Sequence, residues 1–226
     1  MKTKKTFGII LLLLLIFTNF AFSQSLNLPV NYIRNSALGN NITLDEVDGS
    51  PYDNDEFTQG DVTINEKIYK GLLRYNAFND EIQLIDDGQV ITLLKRPYVK
   101  AAIGTKKFAI YAFNGKQSVK RGYFVELTDN SKKAILLQRI TKVILPAEKA
   151  RSAYKKDKPP RLISSNAYFL SLNKKEPAVE IKLNKKAVLA AFDNHNAELK
   201  SFVSKNKLKL KTEDEIAQLL DYYNSL

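Results

Sequence analysis

His195 is the only histidine in the chain, and there is no cysteine. A hydroxyl nucleophile needs a neighbouring imidazole to take its proton, so any Ser-His-Asp arrangement would depend on that one ring. His195 sits in Asp193-Asn194-His195-Asn196, a polar junction, and the Gly-x-Ser-x-Gly turn that presents a nucleophile is absent. It reads as a solvated histidine near a helix cap. The lack of cysteine excludes thiolate nucleophiles, cysteine-held zinc or iron–sulfur sites and disulfides, and one histidine excludes multi-histidine metal sites.

Carboxylates are the next group with reactive chemistry. Seven fall between residues 45 and 61 with no Lys or Arg among them. Asp53-Asn54-Asp55 opens like a calcium-binding loop, but Phe57 stands at the next ligand position and the sixth position has no glycine for the sharp turn. The segment therefore reads as a solvated acidic loop. A pair of acids for glycoside hydrolysis needs only closeness in space, so a carboxylate-based hydrolase stays as a minor alternative. The glycines are scattered singly, so neither a dinucleotide fingerprint nor a phosphate-binding loop is present.

Two polar stretches have binding chemistry. In the first, Arg74, Tyr75, Asn76, Asn79, Asp80 and Glu81 combine a guanidinium, an aromatic ring and hydrogen-bonding amides. A ligand-binding edge is one reading. Tyr75 on an inward strand face, with Asn79-Asp80 as an ordinary turn, is the favoured one. In the second, Tyr154, Lys155, Lys156, Lys158 and Arg161 set four cations beside an aromatic ring, a surface for an anion (glycan, lipid headgroup or nucleic acid) or a binding partner.

These groups must be positioned by the elements around them. Lys2, Lys4 and Lys5 precede an apolar run at residues 7–17, and Ala21-Phe22-Ser23 follows with small residues at −3 and −1 of a cut between Ser23 and Gln24. This is the pattern of a secretory signal peptide over residues 1–23, too short for the roughly 20 apolar residues of a spanning helix. Export argues against nucleic acid as a partner, and cleavage leaves no transmembrane span. The remainder is electrically divided: residues 24–100 carry a net charge of −5 and residues 101–226 a net charge of +13. Such a division points to an internal electrostatic fit or to two partner surfaces.

Residues 24–60 read as an extended, loop-rich lead-in punctuated by Leu28-Pro29 and Asp48-Gly49-Ser50-Pro51. From residue 61 to 183 the apolar period is two. Short runs at 62–64, 67–75, 82–84, 90–94, 108–113, 122–128, 134–145, 167–172 and 179–183 are separated by turn chemistry such as Asp86-Asp87-Gly88-Gln89 and Asn114-Gly115. No helical segment there is long enough for a parallel crossover, so the strands should pair antiparallel. Residues 146–162 break the rhythm as a basic loop. Beyond residue 184 the period becomes about 3.6. Thr212-Glu213-Asp214-Glu215 has capping-box spacing, and Ile216, Leu219, Leu220 and Tyr223 share one face. The expected fold is mainly β with C-terminal helices (α+β), an antiparallel meander forming a curved sheet or sandwich packed with a small helical region.

The segments Gly49-Ser50-Pro51-Tyr52-Asp53-Asn54-Asp55-Glu56-Phe57 and Leu72-Leu73-Arg74-Tyr75-Asn76-Ala77-Phe78-Asn79-Asp80-Glu81 have a further significance. Together with the tail from Lys205-Asn206-Lys207 to Tyr222-Tyr223-Asn224, they resemble an uncharacterised family of exported proteins of Bacteroidetes-type gram-negative bacteria. The resemblance implies an envelope location, periplasmic, outer-membrane-associated or secreted, and carries no activity, ligand or catalytic residue. The expectation is a non-catalytic exported envelope protein, without a cofactor, that acts through protein partners or as a structural accessory. The alternative is a polyanion-binding module for lipopolysaccharide or acidic cell-wall glycan.

Overall fold

A computed structural model describes residues 28–35, 44, 46–150, 154, 156–173 and 175–226. The expected signal segment with its cleavage site at Ser23 and Gln24, and Lys155 of the basic loop, lie outside the described residues. Among those described, eleven strands form one sheet: β1 (Ile33–Asn35), β2 (Thr58–Ile64), β3 (Lys67–Asn76), β4 (Glu81–Asp86), β5 (Gln89–Leu93), β6 (Val99–Ile103), β7 (Lys106–Asn114), β8 (Val119–Glu126), β9 (Ala134–Leu145), β10 (Arg161–Leu172) and β11 (Val179–Ile181). Three helices follow, α1 (Lys185–Ala190), α2 (Asn196–Lys205) and α3 (Glu213–Ser225). The predicted antiparallel sheet with a C-terminal helical region is what forms.

The spatial order is β1-β5-β4-β3-β2-β6-β7-β8-β9-β10-β11, with every neighbouring pair antiparallel. Tight hairpins drive this meander. Asn65 and Glu66 adopt φ of 48° and 68°, and Asp87 and Gly88 adopt 47° and 73°. Two consecutive left-handed residues make the turn whose twist matches the flanking strands. The connection from β5 to β6 then has only residues 94–98 to cross three strands. At about 4.8 Å between neighbouring strands, a flat sheet would need nearly full extension. The sheet curls instead: Leu93 of β5, Val99 of β6 and Ile140 of β9 share one apolar cluster with Val62, Leu73, Ile82 and Leu84.

The far half of the sheet is covered on both faces. On one, Leu136 and Leu170 pack with Val188, Leu199, Ile216, Leu219 and Leu220 of the helices. On the other, Phe124 meets Phe113 and Phe169 edge-on at 5.6 and 5.0 Å, an arrangement the ring quadrupoles favour. The chain before β11 reaches back to β7, where the Ala178 N–H donates to the Ala112 carbonyl at 2.8 Å.

Several sequence expectations need correction. The lead-in is not wholly loop, because β1 pairs with β5 and β2 begins at Thr58. A strand was not expected at Val99–Ile103, yet β6 pairs along both edges. β10 begins six residues before Ala167, taking Arg161 and Leu162 out of the basic loop. The reason is β9: twelve residues long, it offers a ladder of donors and acceptors that Ser164, Ser165 and Asn166 complete despite their low strand preference.

Candidate functional site

The Arg74–Glu81 stretch is consumed by the fold. Arg74 stacks its guanidinium over Tyr52 at 3.6 Å and Phe57 at 4.2 Å. It also donates to Gln83 Oε1 at 2.9 Å and to the Asp55 carbonyl at 3.2 Å. With a third bond to the Tyr52 hydroxyl at 2.7 Å, it fastens the acidic lead-in onto β3 and β4. Asn76 Oδ1 accepts from the N–H groups of Phe78 and Asn79 at 3.1 and 2.9 Å, which builds the turn before β4.

Asp80 ends that turn with φ of 56° and turns its carboxylate inward. It accepts from the Tyr75 hydroxyl at 2.8 Å, the Tyr123 N–H at 3.0 Å and Lys95 Nζ at 2.8 Å. Arg139 lies 3.9 Å away. Desolvation first, then the Asp80 charge, holds both the Tyr75 and Tyr123 hydroxyls protonated far above the ordinary phenol range. Both hydroxyls are shut off from solvent and stay protonated beside the Asp80 carboxylate.

His195 caps α2 from a left-handed conformation without a side-chain cap bond, and its Nδ1 lies 3.6 Å from Glu198. The reading as a cap-region histidine fits this placement. In the acidic lead-in, Asp53 is drawn to Lys106 at 2.5 Å and Ser50 bonds to Asp55. Among the described residues no cluster of acids or histidine has the arrangement of a metal site. The Asp53–Lys106 pair joins the acidic and basic halves of the chain, one instance of an internal electrostatic fit.

The basic segment is different in kind, because it stands away from the core. The outer ends of β9 and β10 form a two-stranded arm, and residues 146–160 connect them. Two further features brace the arm. The Leu162 N–H donates to the Asp48 carbonyl at 2.8 Å, and Glu148 pairs its backbone and its carboxylate with Lys158. Beyond these, the surface is open. Tyr154 is fully exposed, and Lys149, Lys156 and Arg161 are exposed and make no ion pair among the described residues. Val143, Ile144 and Leu145 are exposed at 42%, 38% and 37%, consecutive residues whose side chains alternate between the two faces of the arm. Of the five predicted binding residues, the structure places Tyr154, Lys156, Lys158 and Arg161 on this arm, with Lys158 already partnered. Sequence reading missed the apolar residues beside them, because a strand ending at Leu145 gave no sign that its last turn of side chains would be uncovered.

The fold and this surface define a curved antiparallel sheet, backed by three helices, that presents a basic, partly apolar arm. No protein family, curated protein or solved structure matches the chain. Among the described residues, no helix is long and apolar enough to cross a membrane.

Proposed function

We propose that this is a non-catalytic exported envelope protein that works by binding, with the β9–β10 arm as its contact surface and an anionic polymer such as lipopolysaccharide or acidic cell-wall glycan as its partner. The observation that carries the reading is uncompensated charge in an exposed position. Residues 142–161 hold seven Lys or Arg against two acids. Cations without internal partners keep their attraction for an external anion. Export rests on the lysine-rich start and the Ala21-Phe22-Ser23 pattern, and N-terminal sequencing of protein recovered from the envelope should begin at or near Gln24.

The binding test is retention of the mature protein on lipopolysaccharide and on an acidic glycan at increasing salt. Retention should collapse between about 0.01 M and 0.15 M salt, where the Debye length falls from roughly 30 Å to 8 Å. It should also collapse when Lys156, Lys158 and Arg161 become Ser. Val143, Ile144 and Leu145 favour a second reading, a protein partner docked on the arm. Capture of an envelope protein that resists salt and is lost in Val143→Thr/Leu145→Thr would establish that reading instead.

A further inference from the structure

A cavity of about 270 Å³ opens at one end of the aromatic face of the sheet, away from the acidic lead-in and its Arg74 fastening. The local register explains it. β8 and β9 pair only through Val125↔Gln138 and Glu126↔Leu137 before the chain turns off through residues 127–133. Strand alternation then places Tyr111, Glu126, Ile135 and Ser171 on the same side as Phe124 and Phe169. One more backbone bond, from the Leu127 N–H to the Leu136 carbonyl at 3.0 Å, follows before the chain leaves the sheet, and the cavity opens beside this end of the ladder.

Two polar groups in the cavity are buried. The Glu126 side chain is 3% exposed. It accepts from the Tyr111 hydroxyl at 2.7 Å and from Asn130 Nδ2 at 2.5 Å, with Lys100 Nζ at 4.0 Å. Each carboxylate oxygen still has a lone pair to offer. Ser171 is 5% exposed, lines the cavity, and its hydroxyl makes no hydrogen bond among the described residues. The residue is buried but its hydroxyl is not sealed off, since it opens onto the cavity and is free to bond to whatever fills it.

We propose that this cavity binds a single neutral sugar ring, with vicinal hydroxyls held between Glu126 and Lys100 and a third hydroxyl on Ser171. Three features select that chemistry. Lys100 offsets Glu126, and Glu176, the other carboxylate in the lining, is paired with Arg121 at 2.9 Å, which together disfavour a ligand of net charge. A carboxylate, an ammonium and a hydroxyl together match sugar hydroxyls, which donate and accept at once. Ala109 and Ile135 supply apolar wall for the ring carbons. The volume falls just below the roughly 300–1,000 Å³ of sites for drug-sized ligands, which limits the occupant to one ring. This site is separate from the basic arm, and neither reading depends on the other.

The test is amide NMR of the mature chain titrated separately with D-glucose, D-galactose and N-acetyl-D-glucosamine, with ethylamine and acetate as charged probes. Saturable shifts at Lys100, Glu126 and Ser171 are expected with at least one sugar. Binding should weaken by about tenfold or more in Ser171→Ala and in Glu126→Gln, and stay unchanged in Lys156→Ser/Arg161→Ser. Ser171→Ala removes only a hydroxyl without a protein partner, so its melting midpoint should match the parent and separate lost binding from lost folding. The proposal is overturned if none of the sugars gives saturable shifts, if both variants bind as the parent does, or if a charged probe binds more tightly than every sugar.

Discussion

The carboxylate of Asp80 occupies the space that a side chain on Gly122 would need. A Cβ built on Gly122 would lie 2.8 Å from Asp80 Oδ2, 3.3 Å from a Phe113 ring carbon and 3.4 Å from Arg139 Nε. Glycine on β8 therefore lets the turn between β3 and β4 drive its acid across the sheet to the Tyr123 N–H. One carboxylate then joins β3, β8 and β9, through Tyr75, Tyr123 and Arg139, and holds the curl of the sheet closed. The arrangement is not fully satisfied, because the Tyr123 hydroxyl and Arg139 Nε are buried without a partner among the described residues. Charge, rather than complete hydrogen bonding, is what holds this junction.

Gly122→Ala should destabilise the protein by about 1–3 kcal/mol, the usual cost of forcing atoms into a packed site. Asp80→Ala should cost about 3–5 kcal/mol, because it strips a buried ion pair of its anion. The two should not add. Once the carboxylate is gone, the alanine methyl has room, so Gly122→Ala in the Asp80→Ala background should cost clearly less than in the parent. Urea unfolding of the four proteins measures this, and strict additivity would mean that the two residues do not share the space.

Tyrosine ionisation gives a second check. Tyr75 and Tyr123 are held protonated, Tyr75 by burial and the Asp80 carboxylate and Tyr123 by burial and the nearby acids. A folded-state value raised above the ordinary 10.0 contributes stability that is complete below pH 10.0. That contribution is lost as pH climbs further, since only the unfolded chain ionises there. The Tyr75 and Tyr123 rings should therefore add phenolate absorbance only as the chain unfolds. A single smooth titration with the fold intact would refute this.

Much of the sheet could be read in advance because its hairpins are local. Asp87-Gly88 and Asn65-Glu66 announce their turns within four residues, and β9 shows its length in apolar residues at both ends, Ala134 to Leu137 and Val143 to Leu145. β6 was missed because Ala101 and Ala102 have little strand preference, so its pairing comes from β2 and β7 on either side. The first half of β10 was missed for a related reason, being polar in itself and extended only because β9 is. Sites suffer most from this non-locality. Asp80 looks like a turn residue because its partners are on β8 and β9, and Arg74 looks like a ligand group because Tyr52 and Phe57 lie in the lead-in. Glu126 and Ser171 share a cavity only through strand register that no spacing displays.

The start of α3 adds two bonds to the expected capping box. Thr212 Oγ1 accepts from the Glu215 N–H at 3.3 Å as the spacing predicts. Glu215 also accepts from the N–H groups of Lys209 and Lys211 at 3.0 and 2.9 Å, with the Thr212 N–H contributing less. These backbone bonds hold its carboxyl below the ordinary value of 4.5. A lowered folded-state value contributes stability above 4.5 that disappears as pH falls through the folded value. Glu215→Gln should therefore melt below the parent at about pH 6, with a smaller gap at a pH well below 4.5. An equal gap at both values would show that the carboxylate charge is not what ties residues 209–211 to the helix.

The last prediction concerns what α3 is for. A helix of thirteen residues is marginal alone in water. Ile216, Leu219 and Leu220 are completely buried, and Tyr223 almost so, against the sheet and the other helices. The Tyr223 hydroxyl donates to Asn194 Oδ1 at 3.0 Å, and Asn224 exchanges bonds with the backbone of Ala134 at 2.9 and 3.1 Å. α3 thus joins the start of β9 to the loop before α2, as part of the core. Leu219→Ala and Leu220→Ala should each cost about 2–5 kcal/mol through the cavity they leave, while Gln218→Ala, on the exposed face, should change stability by less than about 0.5 kcal/mol. Removing residues 212–226 uncovers Leu136, Leu170 and Leu199 together and should abolish cooperative melting. If the truncated chain melts like the parent but no longer binds its anionic partner, α3 is a recognition element, and the arm is not the contact surface proposed for it.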